Sequence, residues 1–402
     1  MAPRGAGQRP AGAVRRAAWI AGLGSLIIVV GLLASMVPGC RQPSPSNRSR
    51  EFLRESWDAY KRIYIRTEGN VVDPDRGGGE TTSEGQGYAM LRAAWMHDEK
   101  SFVETFDWTE QHLRRPDGLY SWLWTPPGGG KVADANTASD ADQEIALALV
   151  IGSRVFGDRK LLDRGRQLLR AIREHERVDM GGGWFPAAGN WAVSERIVNL
   201  SYFVPYAYPY FARVDPDGRW DSVMKTGYDL IINTVNTPER PGGRLIPDFM
   251  AVTGEGRPAP LPEGSRLSRD FSSDAMRIYW RVAVDCRLHK RARACADPLG
   301  VGQLTTTLAR DGALFTKYSV DGTPLERTES ASFYGAALPF LLLYAPATAD
   351  AVRAKYLSGP SLDSILTARN RYFDANWIWF GLAAADGLIE ANTPAVDDLK
   401  TN

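Results

Sequence analysis

Cysteine and histidine are both scarce in this 402-residue chain, at three and four residues. A dense disulfide framework is thereby excluded, and no His/Cys set has the spacing of a metal site. His97, His112, His175 and His289 are scattered and read as surface or core residues. Phosphate-binding and serine-nucleophile motifs are missing as well. "PPGGGK" at 126–131 lacks the spacing and the Ser/Thr of a P-loop, and no Gly-x-Ser-x-Gly elbow occurs. Nor are cations gathered into a patch. The first 50 residues carry seven Arg and no acid, leaving 41 basic and 47 acidic residues elsewhere, a dispersed net of −6. Nucleic acid is therefore not an expected partner, and no cofactor is implied.

One long apolar run is present. Arg15 and Arg16 precede "AAWIAGLGSLIIVVGLLASMV" at 17–37, which is uncharged and long enough to span a bilayer. The arginine pair puts the N-terminus in the cytoplasm and the body outside. A retained anchor, a cleaved signal peptide and lipid attachment at Cys40 are the three outcomes open, and Pro38 makes "MVPGC" a poor lipobox. Export is expected, to the periplasm or the exterior, anchored or secreted. "RQPSPSNRSR" reads as a tether. Residues 1–48 are thus set apart from a single domain at 49–402. Export also leaves two states open for Cys286 and Cys295, nine residues apart: a local disulfide or free thiols.

Strand signals are few, and helical periodicity dominates. "SREFLRESWDAYKRIYI", "KSFVETFDWTEQHLRR", "RKLLDRGRQLLRAIREHE" and "GRWDSVMKTGYDLIINTVN" have charged faces and belong on the outside. Between them lie stretches that are apolar nearly all round and so are buried: "GYAMLRAAW", "IALALVIGSRVF", "YFVPYAYPYFA", "AMRIYWRVAV", "FYGAALPFLLLY" and "WIWFGLAAA". Alternating exposed and buried helices imply a two-layer ring, all-α in class.

The inner helices share a start signal. Ser83, Ser139, Ser201, Ser273 and Ser332 stand at their mouths, 56, 62, 72 and 59 residues apart, and a sixth helix opens near Tyr372 and Phe373. At the first of these, Ser83 and Gln86 form a capping box. In a closed ring the inner N-termini gather at one end. The residues placed next to the serines are then informative: Glu84, Asp140, Tyr202, Asp274, and Phe333 with Tyr334. One acid after a cap is explained by the helix dipole. Three acids on otherwise apolar helices are not, because burying charge is costly. Two carboxyl groups across a groove suit glycosidic bond hydrolysis, one as acid and one as nucleophile or base. Trp122, Trp124, Trp184 and Trp191 lie in glycine-flanked loops and suit stacking on sugar faces.

At these residues the chain resembles glycoside hydrolase family 8, the bacterial endo-acting cellulases and their relatives. "ASDADQEIALALVIGSRVF" is similar to the family signature, with Gly152 in place of the usual alanine. "SEGQGYAML", "NLSYFVPYAYPYFA" (Leu200 replacing proline), "FSSDAMRIYWR" and "YFDANWIWFGLAAADGLI" resemble further family segments, in order, from about residue 50 to about 390. The resemblance implies an (α/α)6 barrel of six inner and six outer helices and an inverting mechanism without a metal. It implies Glu84 as general acid, Asp274 as the base that activates water, and Asp140 as the group positioning the sugar ring. Tyr202 would hold the water, and Arg277 would orient carboxylates or bond sugar hydroxyls. Substrate-binding roles are expected for Trp124, Trp184, Trp191 and Tyr334. A helix N-terminus lowers a carboxyl pKa, which suits Asp274 and Asp140 and opposes an acid role for Glu84 unless burial outweighs it.

The substrate implied is a β-1,4-linked polysaccharide, cellulose first, with chitosan, xylan and mixed-linkage glucan as alternatives. A monomer is expected. An anchored single-domain cellulase without a cellulose-binding module suits a functional link to cellulose synthase. Two rivals are weighed. A non-catalytic glycan-binding barrel is opposed by the three intact acids. A polysaccharide lyase on a similar toroid is opposed by the absence of histidine from the inner-helix openings.

Overall fold

The computed structural model describes residues 47–399 except 77, 127, 237–242, 292–298 and 300. The apolar run at 17–37, Cys40 and Cys295 lie outside the described residues. Among those described, no helix is long and apolar enough to cross a membrane. Cys286 is disulfide-bonded; the local disulfide with Cys295, one of the two states left open by the sequence, falls outside the described residues.

Fourteen helices are described: α1 (Asn47–Tyr64), α2 (Ser83–Trp95), α3 (Glu99–His112), α4 (Ser139–Val155), α5 (Arg159–His175), α6 (Tyr208–Val214) and α7 (Trp220–Val235), then α8 (Arg277–His289), α9 (Val301–Asp311), α10 (Ala331–Tyr344), α11 (Pro346–Tyr356), α12 (Gly359–Thr367), α13 (Tyr372–Ala385) and α14 (Leu388–Asn392). Helix α1 begins inside the stretch expected as a tether, because Leu53, Trp57, Tyr60 and Tyr64 form one buried face. Inner helices α2, α4, α6, α8, α10 and α13 alternate with outer ones, so the fold is an (α/α)6 barrel. In α2 every residue except Glu84 is buried, and in α13 every residue except Phe373. Helices α10 and α13 come into close contact at glycine. Pro339 leaves the Gly335 carbonyl without its helical donor, and a Cβ on Gly381 would stand 2.1 Å from that oxygen.

The two ends of the barrel are built differently. Turns at 96–98, 156–158 and 345 suffice to join inner to outer helices. Outer helices reach the next inner one through longer segments, 65–82, 113–138, 176–207, 236–276 and 312–330, and these hold every described strand. The strands are short and antiparallel: β1 (Thr81–Thr82), β2 (Leu123–Thr125) and β3 (Lys131–Asp134) in one sheet, β4 (Arg177–Met180) with β5 (Gly183–Pro186), β6 (Ile197–Val198), β7 (Met250–Val252) and β8 (Pro258–Ala259) together, and β9 (Phe315–Tyr318) with β10 (Pro324–Glu329). Strands of two to six residues carry too little alternation to be read in advance. All of them lie at the end where the inner helices begin.

Candidate active site

At that end is a cleft of about 390 Å³, with Glu84, Asp140, Tyr202, Asp274 and Arg277 in its wall. The inner-helix starts differ in detail from the serine rule. The cap of α2 is Thr82, whose hydroxyl accepts from the Gly85 N–H at 3.1 Å, and not Ser83. Nor is Gln86 the other half of a capping box. It is drawn into the wall behind, accepting from Val71 N–H at 2.6 Å and donating to the Thr109 hydroxyl at 2.8 Å. The glycine after Glu84 has a packing reason: a Cβ on Gly85 would stand 2.5 Å from the Tyr372 hydroxyl.

The run from Ser139 to Glu144 is buried and strongly polar, and every one of its polar side chains has a partner. Ser139 donates to Ala187 O, Asp142 accepts from Tyr120 N–H, Gln143 donates to Tyr202 O, and Glu144 binds Arg281. Gly152, the residue that departs from the family signature, lies under Phe102, whose ring would be 2.8 Å from a Cβ there.

Ser201 opens no α-helix. With Leu200 and Tyr202 it makes a single 3-10 turn capped by Asn199, and α6 starts only at Tyr208, because Pro205 lacks the N–H a helix from Ser201 would need and Pro209 suits the first turn of a new helix. Asp274 also stands outside its helix, in a turn three residues before α8.

Arg277 is the hub of the cleft. Its Nη1 donates to Glu84 and, at 3.0 Å, to Asp140, and its Nη2 donates to Asp274. The guanidinium lies 5.1 Å from the centre of the Tyr202 ring. Arg277 and Asp140 are buried, whereas Glu84 and Asp274 keep 26% and 33% of their side chains open to the cleft. One turn on, Arg281 holds Glu144 at 2.7 Å, approaches Asp140 at 3.5 Å, and donates to the Ser201 carbonyl. Four acids thus surround two arginines. Desolvation pushes Glu144 up to about 7, with Arg281 opposing. Asp274 is also pushed up to about 7, chiefly by desolvation and against Arg277. The lowered value expected for Asp274 from a helix N-terminus is not found, because desolvation outweighs Arg277 and the carboxyl stands outside the helix.

The aromatic candidates divide. Tyr202 and Trp122 line the cleft. Trp124 does not: its ring packs edge-on against Trp108, 5.2 Å away. Trp184 is buried, donating to Gly218 O at 3.0 Å and packed edge-on against Trp220. Tyr334 is buried too. It donates to Glu329, accepts from the Leu314 N–H, and stacks on Tyr356 at 3.7 Å. Trp191 is exposed and does not line this cleft. Glycine-flanked loops marked surface aromatics in general, without telling which ring the turn would bury.

Residues given no site role from the sequence complete the cleft. Asp73, Arg76 and Tyr372 line it, with Arg76 5.4 Å from the Trp122 ring. Arg281 had a readable signal: an arginine four residues after Arg277 on an apolar helix must find buried acid.

Behind Asp140 lies a second acid pair, Asp142 and Glu176. Burial raises both, Glu176 to about 8 and Asp142 well above its usual value. Such groups bind more protons folded than unfolded, so their contribution is present at acid pH and is lost as pH rises from about 4.5 through about 8. Glu176→Gln keeps the acceptor for Thr137, at 2.5 Å, and removes the titration. Its melting temperature is expected to fall less than wild type's between pH 5 and 9, with the curves crossing. Parallel curves would show that the pair does not titrate there.

A barrel whose inner N-termini bring two open carboxyl groups and a buried arginine to one cleft is built as a glycoside-cleaving enzyme. The chain belongs to the glycosyl hydrolases family 8, whose model matches residues 41–327. It is 30% identical over 303 residues to endoglucanase A of Acetivibrio thermocellus, covering 72% of this chain but only 57% of that protein. To an endoglucanase of Xanthomonas axonopodis pv. citri it is 28% identical over 378 residues, 87% of this chain and 89% of the other. The structure of endo-β-1,4-glucanase CMCax from Acetobacter xylinum superposes with a TM-score of 0.65 at 25% identity, covering 83% of this chain and 98% of that one.

Proposed function

We propose that this protein is an exported endo-β-1,4-glucanase that cleaves with inversion. The observation carrying this reading is the single buried Arg277 that joins Glu84 and Asp274 on separate nitrogens, with both carboxyl groups open to the cleft. Glu84 gives its proton to the glycosidic oxygen as the bond to the anomeric carbon breaks. Asp274 takes a proton from the water that attacks that carbon from the opposite face. Asp140, buried, keeps Arg277 aligned and meets the sugar ring at the cleft floor. Tyr202, beneath the guanidinium, borders the water's position. The endoglucanase names of the relatives support β-1,4-glucan over chitosan, xylan and mixed-linkage glucan. Export rests on Arg15, Arg16 and the run at 17–37, and a functional link to cellulose synthesis is part of the same proposal.

The test is reducing-end release by residues 47–402 from carboxymethyl cellulose, chitosan, xylan and mixed-linkage glucan, with proton NMR of the first anomer formed. Release from carboxymethyl cellulose as an α-anomer, with a fast fall in viscosity, is expected. A β-anomer would overturn inversion. Preference for another polymer would overturn the substrate, and binding without release would favour a glycan-binding barrel.

A further inference from the structure

Asp248 lies in the long connection between α7 and α8 and is buried, with 1% of its surface exposed. Its Oδ1 accepts the N–H groups of Ser272 and Ala275, each at 2.9 Å, and its Oδ2 accepts the Ser272 hydroxyl at 2.5 Å. Its own N–H donates to Asp270 O at 2.7 Å. These bonds enclose Asp274, two residues after Ser272 and one before Ala275. Among the described residues no Lys or Arg pairs with Asp248, so its charge is held by neutral donors alone. We propose that Asp248 is the positioning residue of this enzyme, tying down the turn that aims Asp274 and lending its uncompensated charge to that carboxyl's surroundings. The proposal rests on the reading of Asp274 as the base.

Two functions are combined in one side chain. As a tie, Asp248 replaces the helical constraint that Asp274 lacks, since α8 begins only at Arg277. As a charge, it opposes ionisation of Asp274. The groups facing Asp274 are Arg277 on α8, which favours ionisation, and Asp248, Asp140 and Glu84 on three other segments, which oppose it, with the Tyr202 ring beside them. Burial is the larger cause of the value near 7, and Asp248 adds to it. A base must be ionised to act, so kcat/KM falls below an acid limb near pH 7.

Asp248→Asn separates the two functions. Its carbonyl oxygen keeps both N–H bonds, and the Ser272 hydroxyl can turn to accept from the amide. On a soluble β-1,4-gluco-oligosaccharide, the acid limb is expected to move down by about one pH unit, with the plateau within about tenfold of wild type. Ser272→Ala keeps the charge and removes one tie, and is expected to lower kcat several-fold with KM and the acid limb unchanged. An Asp248→Asn protein that melts like wild type and keeps its acid limb would overturn the electrostatic part. Wild-type kcat in Ser272→Ala would overturn the positioning part, and this variant decides that part even if Asp248→Asn does not fold. Failure of the underlying reading looks different: Asp274→Asn would then retain activity, whatever the Asp248 variants do.

Discussion

Glu84→Gln is expected to lower kcat on β-1,4-glucan by a thousandfold or more while leaving the fold about as stable as wild type. Glutamine has the shape of the acid and can still accept from Arg277, but it has no proton to give. General acid catalysis contributes roughly 10²–10⁴-fold, and an unactivated sugar leaving group needs all of it. Stability changes little because Glu84 is the most open acid on Arg277 except Asp274, and Asp140 continues to compensate the guanidinium. The leaving group provides the control. An aryl glycoside, whose phenol departs without protonation, should lose far less than an oligosaccharide does. If both substrates lose the same factor, Glu84 acts in some way other than proton donation. Activity within tenfold of wild type on the polymer would remove the acid assignment altogether.

The second large effect is expected from Arg277→Met. Methionine fills much of the arginine's volume but leaves Glu84, Asp140 and Asp274 without their shared cation, and Arg281 alone cannot serve four acids. Removing one partner of a buried ion pair costs about 3–5 kcal/mol. The deficit should depend on pH with a definite sign. Without the cation, the three carboxyl groups bind protons more tightly in the folded state, so the variant loses stability as pH rises. Urea midpoints at pH 5 and pH 8 measure this, and the gap from wild type should be clearly larger at pH 8. Activity should fall by a thousandfold or more at either pH, since both carboxyl groups lose their orientation. An equal gap at the two pH values would mean that the acids are held by something other than Arg277.

Much of this site was legible as a pattern in the chain. The seam between "TTS" and "GQGYAML" could be recognised as a helix start, and an acid there on an otherwise buried helix called for a functional explanation. The recurrence of serine-acid and serine-aromatic pairs at intervals of 56 to 72 residues made the common mouth readable. Asp140 and Glu84 were therefore legible one by one. Arg277 was legible only as a neighbour of Asp274, because spacing on one helix shows i, i+3 partners and nothing across the barrel. Its bonds to Glu84 and Asp140 span 193 and 137 residues of sequence.

Apolar periodicity along the chain was enough to establish the alternation of exposed and buried helices, and with it the barrel and the end at which its acids gather. Such periodicity is a local property, and six such helices have few other ways to bury their surfaces. Which rings face the cleft was settled only by folding. Trp122 and Trp124 stand two residues apart in similar surroundings, yet one lines the cleft and the other packs onto Trp108. Folding also set the protonation of Asp274. That carboxyl sits outside its helix and titrates near neutrality because burial and three distant acids outweigh one arginine. Desolvation and charge act through space, and the order of residues along the chain does not record which groups will be neighbours.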